Sequence, residues 1–472
     1  MVTSAVSIVT TMLTFTPYGW LVCIWVLVVS FQYGYHISAL NQIQATLTCR
    51  AAPPFLSHGL PTCIPMSDAE FSLVTSMFTV GGLLGSLSAS MVMERHGRKA
   101  ALQISGLSVA AGSGLMAIAP STSLLLLGRF LTGCGAGIGL CTGPVFLAEI
   151  APSNIRGSVG VLTQLAIVLG IMITQMLGLR MATPTLWRFV LLFSSAASVV
   201  QLCLSRFIVE TPVWLKQHGK PEDSRLVQSS LFQEPDFSNS VEDPLLDETL
   251  QGSQHQLDDH REPTSPSSLD LLMSFELRRP LVVVSSAMIS QQVSGINAIL
   301  YYSNDIFSRV LPDAGPYVSL GITLVNTLMT FPPIFLIDRI GRRPLLLASV
   351  IGALSSLVLT GYGLNTGMTI VSSIAILTFV MSFAVGLGPV PFIIISEVAP
   401  SRAASTLSSV GLSLNWIANF IVGLAFLPLR NKLSGGDSSK EGRVFYIFAG
   451  VLFLFSSIFF RSYRPRTQRL SE

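Results

Sequence analysis

Twelve apolar runs, each long enough to cross a lipid bilayer as a helix, constrain this chain more than any other feature. A transmembrane helix needs about 20 consecutive, mostly apolar residues. Six such runs precede a polar segment at 210–279, and six follow it. In order, they are 20–40, 71–93, 100–120, 124–146, 158–179, 187–208, 280–307, 317–337, 345–364, 369–395, 407–429 and 444–460. The pattern predicts an all-α membrane protein with twelve transmembrane helices.

The composition agrees with a membrane protein and argues against several other classes. Hydrophobic residues make up 50% of the chain and charged residues 11%, whereas soluble domains carry about 25% charged residues. Residues 1–49 contain no Asp, Glu, Lys or Arg, so the first run is predicted to be a retained span rather than a cleaved signal peptide. The net charge of +3 is too small to indicate nucleic-acid binding. The six histidines are scattered, so no cofactor, no metal site and no enzymatic activity are predicted.

Basic residues in short loops predict the orientation in the membrane. They follow spans two, four, six, eight, ten and twelve, and such residues favour the cytosolic side. Both termini are therefore predicted to be cytosolic, although the basic loop at 430–443 argues the other way. The sequence contains no Asn-x-Ser/Thr sequon, which leaves the plasma membrane and the vacuolar membrane both open.

Cys49 and Cys63 bracket a proline-rich loop that this orientation places outside the cytosol. We expect them to form a disulfide in that oxidising compartment. Two free loop thiols are the alternative.

The polar middle segment divides the chain. Of the 25 acidic residues, 14 lie between Glu210 and Glu276, in a stretch too poor in apolar residues to offset the entropy of folding. The predicted domains are an N-terminal six-helix bundle at 1–209, a flexible acidic cytosolic linker at 210–279, a C-terminal six-helix bundle at 280–462 and a cytosolic tail at 463–472.

Two motifs recur in the same order in both halves. Glu/Asp-Arg-x-Gly-Arg-Lys/Arg occurs at 94–99 and 338–343, and a Glu follows in Gly-Pro-Val contexts at Glu149 and Glu397. This repetition predicts a duplicated six-helix unit, the architecture of alternating-access carriers. Arginines of these turns are predicted to pair with carboxylates and to latch the cytosolic side in one state, with simple positive-inside anchoring as the alternative. The latch candidates are Glu94, Arg95, Arg98, Glu149, Arg156, Asp338, Arg339, Arg342, Glu397 and Arg402.

The stretch QQVSGINAILYYS at 291–303 places several amides and two tyrosines inside an apolar run. Carboxamides donate and accept hydrogen bonds without placing a charge in the membrane, so several together can bind a neutral polyhydroxylated molecule. Hydrogen bonding to neighbouring helices is the alternative.

Together with the paired basic turns, Gly128-Arg129, EIAPSNIRG at 149–157 and NWIANFIVG at 415–423, this stretch resembles the sugar porter family of the major facilitator superfamily. The resemblance covers nearly the whole chain outside the linker and implies the major facilitator fold of two six-helix bundles. It also implies a sugar site that includes Gln164, Gln291, Gln292, Asn297, Tyr301, Asn326, Phe392, Asn415 and Trp416. In the glucose facilitators Ala384 is replaced by Glu and Phe392 by Trp, so the resemblance does not imply selectivity for glucose.

The resemblance also bears on coupling to protons. Proton-coupled members carry an Asp in the first helix, near an arginine that matches Arg129, and facilitators carry Asn; this chain has His36 there. Histidine titrates near pH ~6.5, so His36 with Arg129 is a candidate for proton coupling or pH sensing. A neutral, hydrogen-bonded His36 in a facilitator is the alternative.

The sequence thus predicts a carrier, functional as a monomer in the lipid bilayer, that moves a hexose or related neutral sugar or polyol by alternating access. It is expected to be either facilitative or proton-coupled. A non-transporting membrane sugar sensor and a carrier of a different small metabolite are the alternatives.

Overall fold

The computed structural model of the chain describes residues 15–50, 53–57, 59–152, 155–232, 275–297, 315–400, 403–435 and 437–463. Tyr301 and Arg402 lie outside the described residues, as do most of the predicted linker and nearly all of the predicted tail.

The first half of the chain forms six long helices joined by short connections. Pro17 lies in the first turn of the first helix, where the Thr16 side chain accepts from the Gly19 N–H. Ser67 and Glu70 form a capping box at the start of the second helix, so local sequence signals fix where these helices begin. The helices are α1 (Pro17–Leu47), α2 (Asp68–His96), α3 (Arg98–Ala117), α4 (Thr122–Ile150), α5 (Arg156–Met181) and α6 (Trp187–Leu204).

Two short helices follow, α7 (Pro212–Gln217) and α8 (Pro221–Leu231). The end of α8 returns to the start of α1, where the Thr16 N–H donates to Leu231 O at 3.0 Å. Val227 and Leu231 are buried there. Both helices lie at the N-terminal end of the predicted linker, and α8 has an apolar face that packs against the first bundle.

The second half of the chain also consists of long helices, some of them in two pieces. The eighth predicted span comprises α10 and α11, and a π-helical turn at Phe383–Leu387 separates α13 from α14. The helices are α9 (Phe275–Val293), α10 (Gly315–Met329), α11 (Phe331–Ile340), α12 (Arg342–Asn365), α13 (Thr369–Ser382), α14 (Val390–Val398), α15 (Ala404–Ser434) and α16 (Arg443–Ser462).

Within the described residues, 11 helical segments are long and apolar enough to cross a membrane. α9 begins just before the seventh predicted run, of which residues 298–307 lie outside the described residues. The predicted all-α membrane architecture is confirmed, and the chain is an integral, multi-pass membrane protein.

Glycines let the helices of the first bundle approach closely. A side chain at Gly133 would collide with Phe78 O on α2, and one at Gly137 with Gly82 O. The glycine-rich part of α4 therefore serves close helix packing, as small residues do in membrane proteins.

The bundles meet on two sides: α2 and α4 pack against α15, and α5 packs against α10 and α11. Ser409 Oγ on α15 donates to Ser86 O on α2. Thr323 Oγ1 on α10 donates to Gln175 Oε1 on α5 at 2.9 Å. Of the predicted binding residues, Gln164, Asn326, Asn415 and Trp416 lie on these interface helices.

The loop between α1 and α2 contains a small hairpin. Its strands, β1 (Leu56–Ser57) and β2 (Leu60–Pro61), are antiparallel, and a disulfide joins Cys49 to Cys63 beside them. The Trp187 indole N–H donates to Thr62 O at 2.6 Å and ties the hairpin to the start of α6.

We expect removal of this disulfide to lower stability. The two cysteines are separated by 14 positions, and closing a loop of that size stabilises the folded state by about 3 kcal/mol. The variant Cys49→Ser should melt at a lower temperature than the wild type, whereas Cys203→Ser, which removes an exposed free thiol, should not. In the Cys203→Ser background, a maleimide should label Cys49 and Cys63 only after reduction; full labelling without reductant would contradict the bridge.

Candidate functional site

Five carboxamides from α9, the turn after it and α15 form a continuous hydrogen-bonded relay. Asn297 Nδ2 donates to Asn419 Oδ1 at 2.7 Å and to Gln292 Oε1 at 3.1 Å. Gln292 Nε2 donates to Asn415 Oδ1 at 3.0 Å. Asn415 Nδ2 donates to Gln291 Oε1 at 2.8 Å. The relay joins two helices of the second bundle through side chains that lie inside the membrane region.

The far end of the relay is fixed by the break in the tenth span. Gln291 Nε2 donates to Leu387 O at 3.1 Å and to Gly388 O at 2.9 Å. Leu387 O can accept this bond because Pro391, four residues later, has no N–H to donate to it. Proline thus creates the acceptor, and the glutamine satisfies it.

The amides differ in how much of their hydrogen-bonding capacity is used. Both Nε2 hydrogens of Gln291 have acceptors, and Asn415 Nδ2 donates to Met288 O as well as to Gln291 Oε1. Among the described residues, Gln292 Nε2 has one acceptor although an amide nitrogen carries two hydrogens. Gln292 therefore retains a donor for a ligand, whereas Gln291 serves as an anchor.

Trp416, which follows Asn415 on α15, lies at the bundle interface. Its ring lies edge-on to Tyr33 and to Phe78 of the first bundle, with ring centroids 5.6 Å apart in both cases. Its side chain also packs on Gly82, where a methyl group would collide with the indole. Within the described part of the chain, the buried Trp416 Nε1 has no hydrogen-bond partner, so the indole can present both a ring and an N–H donor.

Three further predicted binding residues, Gln164, Asn326 and Phe392, are also buried. The Gln164 amide packs on Gly388, where an added methyl group would lie 3.1 Å from the amide. This contact brings α5 against the break in the tenth span. Asn326 Oδ1 is buried without a hydrogen-bond partner among the described residues. Phe392 and Ala384 pack in the apolar core. This side of the site is therefore less polar than it would be with a glutamate at position 384.

His36 on α1 is fully buried and hydrogen-bonded to α6. Its Nε2 lies 2.7 Å from Ser194 Oγ, and that hydroxyl donates to Gln32 Oε1 at 2.6 Å. The Gln32 orientation follows from its other bonds, because its Nε2 donates to Ser194 O and Ser198 Oγ. The single Ser194 hydroxyl proton is thus used, so His36 Nε2 carries a hydrogen and donates it to Ser194.

Arg129 on α4 lies near the same cluster. Its guanidinium carbon is 4.6 Å from the centre of the Phe78 ring, and that ring lies 6.2 Å from the His36 ring. The structure thus places both predicted coupling residues around Phe78, one turn of α2 from the Trp416 contact at Gly82.

At the basic end of the first bundle, Arg98 pairs with Glu149. Arg98 Nη2 lies 2.8 Å from Glu149 Oε1, and the guanidinium is almost fully buried. The Arg98 and Lys99 N–H groups donate to the Glu210 carboxylate, which therefore caps α3. Burial raises the pKa of Glu210 above its ordinary value, although these N–H groups act in the opposite direction. Gly97 is required there: its φ is +92°, and a side chain would collide with Glu210.

At the basic end of the second bundle, Arg342 joins two carboxylates. Its Nη2 lies 2.9 Å from Asp338 Oδ1, and its Nε donates to Glu397. Asp338 also reaches the first bundle, where its Oδ2 accepts from the Ser158 N–H and Oγ, both at 2.7 Å. Ser158 Oγ also lies 2.6 Å from Ile334 O. The carboxylate at the N-terminus of α5 suits the helix dipole there and ties the two bundles together.

Four further latch candidates lie at the basic ends of the bundles. Arg95 and Arg339 are exposed, Glu94 is half-buried with its carbonyl accepting from Trp214 Nε1 at 3.3 Å, and Arg156 is half-buried at the start of α5.

Sequence reasoning missed several participants. Asn419 lies four residues after Asn415, on the same helix face, and that spacing could have identified it. Glu210 follows the sixth span directly, next to a helix-starting Thr-Pro, which also is a readable signal. Ser158 and the aromatic partners Tyr33 and Phe78 carry no such signal, because their roles come from contacts across the bundle interface.

Two bundles of membrane helices with a polar interface define the fold class of the major facilitator superfamily. The chain belongs to the family described as Sugar (and other) transporter, whose model matches residues 22–468. This is a family of carriers rather than enzymes.

Relatives and a solved structure share this architecture over most of their length. The chain is 33% identical over 448 residues to a probable metabolite transport protein of Saccharomyces cerevisiae, covering 92% of this chain and 89% of that protein. It is 32% identical over 456 residues to facilitated glucose transporter member 3 of Homo sapiens, covering 91% and 86%. The structure of the proton:xylose symporter XylE bound to 6-bromo-6-deoxy-D-glucose aligns with a TM-score of 0.78 at 19% identity, covering 94% of this chain and 95% of that one. The predicted major facilitator fold is confirmed.

Proposed function

We propose that the chain is a carrier of a hexose or a related neutral sugar or polyol, and that it works by alternating access. The observation that carries the proposal is the amide relay beside the bundle interface, with Gln292 and Trp416 retaining donors. Relatives named as glucose transporters, and the xylose symporter that shares the fold, support the substrate class. An uncharged site of amides and an indole suits hydroxyl groups, since it neither attracts nor repels a charge.

The sugar would lie against Trp416, between the bundles. Its apolar C–H face would pack on the indole, while its hydroxyls would take the second N–H of Gln292 and donate to Asn326 Oδ1. Gln164 would contribute from α5, so that both bundles touch the substrate. Tyr301 remains a predicted member of this site.

Transport would require the basic ends of the bundles to part. The Asp338–Ser158 contact joins the bundles at that end, so its loss opens one side of the site. We assign the basic ends and both termini to the cytosol, the Cys49–Cys63 hairpin to the opposite side, and the protein to the plasma membrane or the vacuolar membrane. We assign the two bundles to 1–209 and 280–462, with α7 and α8 packed against the first bundle at the start of the linker. One chain supplies both bundles, as a functional monomer needs.

Uptake by cells that lack their own sugar carriers tests the proposal. A radiolabelled panel of hexoses, pentoses and polyols should contain at least one sugar taken up by the wild type and competed by its unlabelled form. Arg225→Gln, which breaks an exposed ion pair with Glu222, serves as a matched control and should leave uptake unchanged. If the protein reaches the membrane and no sugar in the panel is taken up, the proposal is wrong.

The environment of His36 indicates whether transport is coupled to protons. In the neutral form with Nε2–H, its one donor has an acceptor in Ser194. A proton added to Nδ1 would be a buried donor without a partner among the described residues, and an unsatisfied buried donor costs about 1–3 kcal/mol or more when charged. It would also add a second cation to the cluster that holds Arg129. We therefore assign facilitated diffusion rather than proton symport.

Sugar flux should accordingly proceed without protons. In proteoliposomes with a pH dye inside, adding the transported sugar should cause no proton entry, and His36→Asn should retain uptake because an amide can also donate to Ser194. His218→Asn, at an exposed site, is the control. Sugar-dependent acidification that disappears in His36→Asn would establish coupling instead.

A further inference from the structure

The C-terminal end of α16 is surrounded by arginines from three helices. Arg279, near the start of α9, donates through Nε to Ser462 O at 3.0 Å. Arg343, at the start of α12, donates to Phe460 O at 3.5 Å. Both bonds satisfy carbonyls that the last turn of a helix leaves unpaired, at the negative end of its dipole. These two arginines therefore hold α16 in place.

A cavity of about 480 Å³ lies between α9 and the end of α16. The described residues that line it are Arg278, Arg279, Val282, Arg461 and Ser462. Three of these five side chains are guanidinium groups, so the described part of the lining is positively charged. Guanidinium groups match the geometry of phosphate oxygens, which they bind through two parallel hydrogen bonds.

The cavity lies where membrane helices reach the polar boundary of the bilayer. Val282, one turn into α9 from Arg278, is 41% exposed, and Phe453 and Leu454 on α16 are more than half exposed. These apolar side chains face the lipid surroundings of a membrane protein, whereas the arginines lie at the level of headgroups. A ligand held here would present anionic oxygen to the cavity and hydrocarbon to the helices beneath it.

We propose that this cavity binds the phosphate-bearing headgroup of an anionic phospholipid. Charge complementarity selects the headgroup, because basic pockets between helix ends favour anionic lipids over zwitterionic ones. The membrane boundary selects a lipid over a soluble anion. Arg278 and Arg461 bind the headgroup, and Arg279 contributes charge while capping α16. This site is separate from the relay on α9 and α15, and it does not depend on which substrate is carried.

Lipid binding by the purified, full-length protein tests the inference. Native mass spectrometry would compare dioleoylphosphatidylserine with dioleoylphosphatidylcholine, which differ in headgroup charge and share acyl chains. The wild type should prefer the anionic lipid. Arg278→Gln/Arg461→Gln should bind it about thirtyfold more weakly, from roughly fivefold per arginine, with binding of the zwitterionic lipid unchanged.

The matched control is Arg430→Gln/Arg443→Gln, which removes the same charge from the opposite end of α15 and α16. It should retain the full preference, and melting curves should show that both double variants are folded. Loss of the preference in the control, or its retention in Arg278→Gln/Arg461→Gln, would overturn the proposal. So would equal stabilisation by soluble glycerol phosphate, which would indicate a site for free anions. A preference that appears only after the acidic residues of 242–262 are neutralised would indicate that the chain's own linker occupies the cavity.

Discussion

Replacing Asp338 by alanine is expected to shift the conformational equilibrium about a hundredfold toward the state that is open at the basic end. Across the bundle interface, Asp338 Oδ2 accepts from the Ser158 N–H and lies 2.7 Å from Ser158 Oγ, whose single proton it shares with Ile334 O. Hydrogen bonds to charged groups contribute about 1.5–3 kcal/mol each, and about 1.4 kcal/mol corresponds to a tenfold change in an equilibrium constant. Ser158→Ala retains the backbone N–H bond and should shift the equilibrium about tenfold.

The rate at which a thiol reagent reaches the interface measures this shift. Ile393 is 3% exposed and packs on Gly160 of the other bundle, so Ile393→Cys reports opening. The four free cysteines of the described residues are first replaced by serine. In this background, labelling should be slowest without a further change, faster with Ser158→Ala and fastest with Asp338→Ala. Glu222→Gln, at the exposed ion pair, should have no effect. Equal labelling rates in all four proteins would show that the Asp338 contact does not hold the bundles together.

Gln291→Ala and Gln292→Ala should fail in different ways although the residues are adjacent. Gln291 uses both amide hydrogens on Leu387 O and Gly388 O, so its loss leaves buried carbonyls unpaired. We expect about 2–3 kcal/mol of lost stability, a lower melting temperature and less protein in the membrane. Gln292→Ala also breaks the bonds with Asn415 and Asn297, so it too should lower the melting temperature. Because Gln292 retains an N–H for the substrate, its loss should in addition raise KM by about three- to tenfold, as expected for one hydrogen bond of about 0.5–1.5 kcal/mol.

Kinetics and melting curves of both variants separate these outcomes. Uptake normalised to the amount of protein at the membrane should show a near-normal KM in Gln291→Ala and a raised KM in Gln292→Ala. Asn326→Ala extends the comparison, because its Oδ1 has no partner among the described residues and its removal should affect KM without lowering the melting temperature. A raised KM in Gln291→Ala with unchanged stability would reverse the assigned roles.

Both experiments depend on polar groups that meet across helices, and these are where sequence reasoning reached its limit. The pairing of Arg98 with Glu149 and of Arg342 with Glu397 could be anticipated, because motif and carboxylate recur at similar spacing in both halves. The contact of Asp338 with Ser158 joins residues 180 positions apart and carries no pattern in the chain. Likewise, the predicted amides could be named, but their order in the relay could not, nor could the inclusion of Asn419.

What the sequence by itself determined is the set of membrane helices and the chemistry they carry. Hydrophobicity over about 20 residues is a local property, and capping residues, glycines and prolines act within a few positions of where they stand. The tertiary structure alone decided which amide is an anchor and which keeps a donor, which tautomer His36 adopts, and which arginines gather around the end of α16. Those outcomes depend on how each helix is rotated and packed against its neighbours, and that is fixed by contacts between residues far apart in the chain.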